Sequence, residues 1–174
     1  MTGRRGYVQI YTGEGKGKTT AALGLALRAW GHDHRVIVLQ FMKGDPSWGE
    51  IIALQRLGIE VVQTGLQHWV FLDKVRPEDL EAAAAGFTRA REEVLSGRYD
   101  MVVMDEVWTA VRFKLLPLAD VLGLMREKPE HVELVMTGRG APDEAIAAAD
   151  LVTEMRPVKH YFDAGVKARE GIEF

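Results

Sequence analysis

Residues 12–20 read TGEGKGKTT, between the β-rich segment Tyr7–Tyr11 (YVQIY) and the apolar run Thr19–Trp30 (TTAALGLALRAW). Strand, glycine-rich turn and helix in that order make a backbone cradle for phosphate oxygens. The usual spacing is Gly, four residues, then Gly-Lys-Ser/Thr. Counted back from Gly17-Lys18-Thr19, the first glycine belongs at position 12, but Thr12 stands there and the nearest glycine is Gly13. The loop is one residue short. Gly13, Gly15 and Gly17 permit backbone shapes closed to other residues. Their N–H groups can turn inward on anionic oxygens, and the following helix adds its positive end. Lys18 supplies a point charge, and Thr19 a hydroxyl for Mg²⁺ (or Mn²⁺).

The rest of the chain alternates in the same way. Arg35–Gln40, Ile59–Val62, Tyr99–Met104, Glu133–Met136 and Leu151–Met155 read as further strands. Between them, Gly49–Leu57, Pro77–Ser96, Leu118–Glu127 and Pro142–Ala149 read as helices. The Thr19–Trp30 helix is apolar nearly all round, which predicts burial on most sides. In the Pro77–Ser96 helix, Leu80, Ala84, Phe87, Val94 and Leu95 form the expected core face. Alternation of this kind predicts an α/β protein: a three-layer phosphate-loop NTPase-like (RecA-like) fold with a mostly parallel sheet of about six strands. One domain over residues 1–174 is expected. Ligands in such sheets bind at the carboxyl ends of the strands. The glycine loop, Gln40–Gly44, Asp105-Glu106 and Thr137–Gly140 all follow strands, so they should gather on one edge. The stretch Gln63–Arg76 has no period and carries Trp69 and Phe71, the mark of a functional loop.

Val102-Val103-Met104-Asp105-Glu106 (VVMDE) is an apolar strand ending in acid, the metal-side element of phosphate-loop proteins. Asp105 or Glu106 is assigned to Mg²⁺, directly or through water. Net charge is −3 and there is no basic stripe, which argues against nucleic acid as a partner. The basic runs are short, Arg4-Arg5 at the start and Arg156, Lys159, Lys167 and Arg169 near the end. No apolar stretch approaches the roughly 20 residues of a membrane span. No secretory signal is read in residues 1–5, and a cytoplasmic address is expected. The absence of cysteine removes disulfides, thiolate metal sites and cysteine nucleophiles.

The tail Arg156–Phe174 reads RPVKHYFDAGVKAREGIEF. Together with TGEGKGKTTAALG, LQFMKG at Leu39–Gly44, Trp48-Gly49-Glu50, VVMDE and TGRG at Thr137–Gly140, it resembles the ATP:corrinoid adenosyltransferases of the CobA/BtuR type. The resemblance implies transfer of the 5′-deoxyadenosyl group of ATP to the cobalt(I) of a reduced corrinoid, with release of triphosphate, in adenosylcobalamin biosynthesis or salvage. It implies that the short loop grips triphosphate as a leaving group. ATP, Mg²⁺ (or Mn²⁺) and the corrinoid are then the bound species. A homodimer is implied, and a flavin-type electron-donor protein for cobalt reduction is compatible with it. The resemblance assigns Gly13, Gly15, Gly17, Lys18, Thr19 and Thr20 to triphosphate and Thr19 with Glu106 to the metal, with Glu14 and Lys16 of the same loop in the binding set. Lys43, Arg139, Arg156 and Lys159 join the binding set, with His160 and Lys167 in matching motifs. Trp69 and Phe71 are candidates for the corrinoid side, although only Gly65 and Trp69 of Gly65–Trp69 align with the family's Gly-Phe-Thr-Trp stretch. His68 is not expected to ligate cobalt, since an imidazole would oppose formation of cobalt(I). Few residues precede Tyr7, so a covering arm is expected from another segment.

Cobalt(I) carries no proton, so this reaction needs no general base. Charge develops on triphosphate, where Lys18, loop N–H groups and Lys43 can meet it. Two alternatives share the loop and VVMDE: a phosphate-loop ATPase or kinase, with Glu106 positioning water, and a nucleotide-switched binding module. The first releases phosphate or ADP rather than triphosphate; the second predicts salt-sensitive binding to nucleic acid.

Overall fold

In the computed structural model, which describes residues 5–174, six strands form one sheet. Arg4 of the first basic run lies outside the described residues. The strands are β1 (Val8–Thr12), β2 (Val36–Gln40), β3 (Glu60–Gln63), β4 (Met101–Asp105), β5 (Glu133–Thr137) and β6 (Leu151–Glu154). Their order is β3-β2-β4-β5-β1-β6, and every pairing is parallel. β2 and β4 are buried at all positions, as their unbroken Val, Ile, Leu and Met runs require of strands covered on both faces.

The helices are α1 (Lys18–Trp30), α2 (Gly49–Leu57), α3 (Pro77–Leu95), α4 (Val107–Arg112), α5 (Leu118–Glu127) and α6 (Asp143–Ala148). Two apolar cores result. Ala22, Ala26 and Ala29 of α1 and Leu54 of α2 pack on Val36, Val38, Val103 and Val135. Across the sheet, α3, α4, α5 and α6 bring Ala90, Trp108, Leu124 and Ala145 to Ile37, Leu39, Val102, Met104 and Leu134. The molecule is therefore three layers deep. Each fully buried Ile, Leu or Val contributes about 1.5–3 kcal/mol relative to exposure.

Three expectations need correction. Helix α1 is buried along one stripe only, and Leu27 and Trp30 are exposed. A helix lying on a sheet hides only the face that touches it, whatever its other faces carry. Helix α3 buries Asp79, Ala83, Gly86, Ala90, Glu93 and Val94, while Leu80 and Leu95 are exposed and Phe87 is only partly covered. Small residues won that face because they permit close approach: a Cβ on Gly86 would lie 2.4 Å from Thr64 Oγ1. The buried acids are both paired, Glu93 with Arg89 and Arg98, and Asp79 with His68. Helix α4 was not anticipated; with only six residues it is too short to show a period.

Candidate active site

The four strand exits converge at the carboxyl edge. Each turns through a left-handed residue: Gly13 after β1 (φ 97°), Met42 after β2 (φ 60°), Glu106 after β4 (φ 63°) and Gly138 after β5 (φ 141°). For Met42 and Glu106 that conformation costs roughly 1–2 kcal/mol each. Strain of this kind, held by the surrounding structure, is common at functional sites.

Asp105 is the hub. Its carboxylate is wholly buried and accepts four hydrogen bonds. Thr19 Oγ1 donates at 2.9 Å, Thr137 Oγ1 at 2.6 Å, Lys43 Nζ at 2.8 Å and Gln40 Nε2 at 3.2 Å. Every exit of the site is thereby joined to one acid. Burial alone would raise the Asp105 pKa, but Lys43, Thr137 and Thr19 outweigh it and hold the group below its ordinary 3.8. Burial likewise works against the Lys43 ammonium; attraction and hydrogen bonding to Asp105, with Glu106 and Glu50 beyond, raise it above 10.5. Lys43 also lies 3.9 Å from Glu50 and 5.4 Å from the Trp48 ring centroid. Gln40, Thr137, Glu50 and Trp48 were not assigned roles from the sequence. Their motif strings were visible, but only the parallel register brings them to one acid.

Glu106 donates its N–H to Thr137 Oγ1 at 2.9 Å, and its carboxylate accepts from Thr109. Thr109 Oγ1 in turn accepts the Arg139 N–H at 3.0 Å, which ties the TGRG turn to α4. At the mouth, Glu14 pairs with Arg112 at 2.8 Å and lies 3.6 Å from Arg139. Arg112 ends α4, a helix too short to show a period in the sequence.

Lys18 is almost fully buried, and its Nζ donates to the carbonyls of Gly13 and Gly15, each at 2.8 Å. Burial lowers its pKa from 10.5, against the pull of Glu106 and with the help of Arg139. The loop is backed by the exit of β6. The Gly15 N–H donates to Met155 O at 2.7 Å, and the Met155 N–H to Thr12 O at 2.8 Å. A Cβ on Gly13 or Gly15 would meet Met155 O at 2.5 or 2.7 Å, so both glycines are set by that contact. Gly17 precedes α1 in a left-handed conformation, and Thr20 is exposed one residue beyond Thr19. Lys16 points the other way, to Tyr161, Ile172 and Glu173 of the tail.

The remaining candidates are dispersed. Trp69 is 76% exposed and Phe71 58%, so neither is a core aromatic. Trp69 leans against Trp48, centroids 6.3 Å apart, which connects the 64–76 loop to Lys43. His68 Nε2 is 2.8 Å from Asp79 Oδ1 and fastens that loop to α3. Arg156 pairs with Glu154 at 2.9 Å, while Lys159 and Lys167 are exposed with no ion pair among the described residues. His160 Nδ1 accepts the Phe162 N–H at 3.1 Å and caps the 3₁₀ turn Tyr161–Ala164.

A fit for Mg²⁺ can be judged from these donors. The described residues hold no group of three His, Cys, Asp or Glu side chains able to enclose an ion. Thr19 and Glu106 are hard oxygen donors beside a phosphate-type loop, whereas Asp105, the other metal candidate of the sequence, is wholly buried with its four acceptor positions taken by Thr19, Thr137, Lys43 and Gln40. Such a set suits Mg²⁺, which keeps several waters and substrate oxygens rather than a protein cage. No helix among the described residues is long and apolar enough to cross a membrane.

The sequence matches the family model described as ATP:corrinoid adenosyltransferase BtuR/CobO/CobP over residues 4–174. Corrinoid adenosyltransferase CobA of Salmonella typhimurium is 41% identical over 172 residues, covering 98% of this chain and 86% of that protein. The corrinoid adenosyltransferase of Pseudomonas aeruginosa is 38% identical over 171 residues, covering 98% and 84%. That of a Sinorhizobium species is 35% identical over 176 residues, covering 99% and 82%. With the glycine loop, the acid hub and the tail all inside the matched region, the chain belongs to the ATP:corrinoid adenosyltransferases, a family of transferase enzymes.

Proposed function

We propose that this protein transfers the 5′-deoxyadenosyl group of ATP to the cobalt(I) of a reduced corrinoid, releasing triphosphate. Family membership supports the reaction class. The observation that carries the assignment of the site is the seat of Lys18, a buried ammonium inside the glycine loop, next to a Thr19–Asp105 pair. An ammonium whose charge burial disfavours gains most from an incoming polyanion. Lys18 exchanges its two carbonyl partners for phosphate oxygens. It is joined by the Gly17-side end of α1, whose free N–H groups favour anions. Gly15 contributes shape, since its N–H is taken by Met155.

Negative charge grows on triphosphate as the carbon–oxygen bond breaks. Fixed positive charge at that point lowers the barrier without a proton transfer. Thr19 and Glu106 would hold Mg²⁺ (or Mn²⁺), which would neutralise part of that charge when bound. Asp105 stands behind them, its four acceptor positions filled by protein donors. Its work is to orient Thr19 and Lys43. Glu14, Arg112 and Arg139 form the rim of the nucleotide side, with Arg156 and Lys159 available from the tail.

The exposed Trp69 and Phe71 form the corrinoid side, where large apolar faces in water mark a contact surface. His68 remains with Asp79 and leaves cobalt unligated. The remaining role of the protein is alignment of carbon 5′ with cobalt, a positioning effect. The same reading takes residues 1–174 as one domain, acting as a cytoplasmic homodimer with a flavin-type protein as electron donor.

The test is anaerobic. The protein is mixed with Mg-ATP and chemically reduced cobalamin, the cobalt(I) band is followed, and the phosphate product is identified. Loss of the band with one triphosphate per corrinoid supports the assignment. Phosphate or ADP without spectral change would overturn it. Lys18→Ala lowers turnover about a hundredfold or more, by analogy with loss of one oxyanion donor. Near-normal turnover in a folded Lys18→Ala protein would remove that lysine from the site.

A further inference from the structure

Lys16 lies in the glycine loop, yet its ammonium is fully engaged elsewhere. Its Nζ donates to Tyr161 Oη at 2.8 Å, Ile172 O at 3.0 Å and Glu173 Oε1 at 2.6 Å. An ammonium has three protons to give. None is left for a phosphate oxygen. Glu173 is itself gripped from several sides. Arg169 donates its backbone N–H to Glu173 Oε2 at 2.7 Å and its Nε at 3.3 Å, and Tyr161 Oη donates to Oε1. The Arg169 guanidinium lies 5.0 Å from the Tyr161 ring centroid. Lys16, Tyr161 and Arg169 together hold the Glu173 carboxyl well below the usual carboxylate range.

The adjacent loop residue, Gly15, donates to Met155 at the other end of the same segment. Two consecutive loop residues are thus fastened to the two ends of one C-terminal clasp. We propose that Glu173 is a positioning residue for adenosyl transfer, holding Lys16 so that the glycine loop keeps the shape that receives triphosphate. Lys16 is a fastening and not a phosphate ligand. This inference rests on the assignment of the loop as the triphosphate seat.

The experiment compares Glu173→Gln, Lys16→Met and the double variant by steady-state kinetics, with ATP and corrinoid varied separately. Binding of inorganic triphosphate is measured alongside by calorimetry. Each single variant raises the KM for ATP about fivefold, in line with a networked, partly exposed ion pair. Triphosphate affinity falls in parallel, the KM for corrinoid stays within about twofold, and the double variant is no worse than either single one. A structural role alone would lower thermal stability without separating the two KM values. If Lys16→Met weakens triphosphate and Glu173→Gln does not, Lys16 is a direct ligand and the clasp idea fails. If Glu173→Gln tightens triphosphate, the tail competes with substrate, and the proposal is again wrong. Lys18→Ala separates the two levels. Should it leave ATP kinetics intact, the loop assignment falls and this inference with it; should it disable the enzyme while Glu173→Gln changes nothing, only this inference falls.

Discussion

Asp105→Asn tests the hub most directly. The substitution keeps the shape of the side chain but removes the charge that faces Lys43 at 2.8 Å. It also places an N–H₂ where two donors now point. The Asp105 side chain is 0% exposed and that of Lys43 only 14%, so the ammonium would stay in poor solvent without its partner. Breaking a buried pair by removing one member costs about 3–5 kcal/mol. Lys43 retains Glu50 at 3.9 Å and some access to water, which places the expected loss near the lower end, about 3 kcal/mol. Urea unfolding at neutral pH reads this directly. With a slope of about 2 kcal/mol/M, the midpoint drops by roughly 1.5 M.

The pH dependence carries its own sign. The folded Asp105 pKa is depressed from 3.8, so its stabilisation is present above that value and fades as pH falls through the folded pKa. The Lys43 pKa is raised from 10.5, so its share is present below that value and fades at higher pH. The gap between wild type and Asp105→Asn is therefore flat from about pH 5 to about pH 10 and narrows below about pH 4. A gap under about 1 kcal/mol at neutral pH, or one that does not narrow in acid, would refute the claim that the Asp105 charge organises the site.

Two further outcomes follow from packing and exposure. Gly86→Ala should lower stability by about 1–3 kcal/mol, because its Cβ would lie 2.4 Å from Thr64 Oγ1 and push α3 away from the residue that follows β3; an unchanged melting temperature would show that the contact yields freely. Trp69→Ala should leave stability within about 0.5 kcal/mol, as its ring is 76% exposed, while raising the KM for corrinoid and sparing that for ATP. An equal rise in both KM values would move Trp69 off the corrinoid side.

The architecture was largely written in local patterns. Val, Ile and Leu runs at β2 and β4 marked buried strands, and the four strand-exit motifs did meet at one edge. Other features depend on who approaches whom. Leu80 and Phe87 looked like the core face of α3 because periodicity weighs size and polarity. The sheet instead took Ala83, Gly86 and Ala90, where a close approach was sterically open. The Thr19–Trp30 helix reads as buried on most sides, but the sheet covers only the alanine stripe of α1 and leaves Leu27 and Trp30 exposed. Within the site, Lys18 and Thr19 were legible from spacing. The bonds from Gln40, Lys43 and Thr137 to Asp105 were not, since they arise from parallel register between strands far apart in sequence. The N–H of Gly15 was read as part of the cradle, and no local signal reveals that Met155 takes it.

That last bond has a temporal consequence. Nearly the whole chain separates the glycine loop from the segment that backs it. During synthesis, β1 and the loop leave the ribosome well before β6 and Met155. Until β6 docks beside β1, the Gly15 N–H lacks its partner and the loop has no fixed wall behind it. Non-local contacts of this kind form late because loop closure must precede them. Nucleotide binding should consequently report on completion of the fold: a nascent chain released before β6 would hold its apolar sheet core yet retain triphosphate poorly.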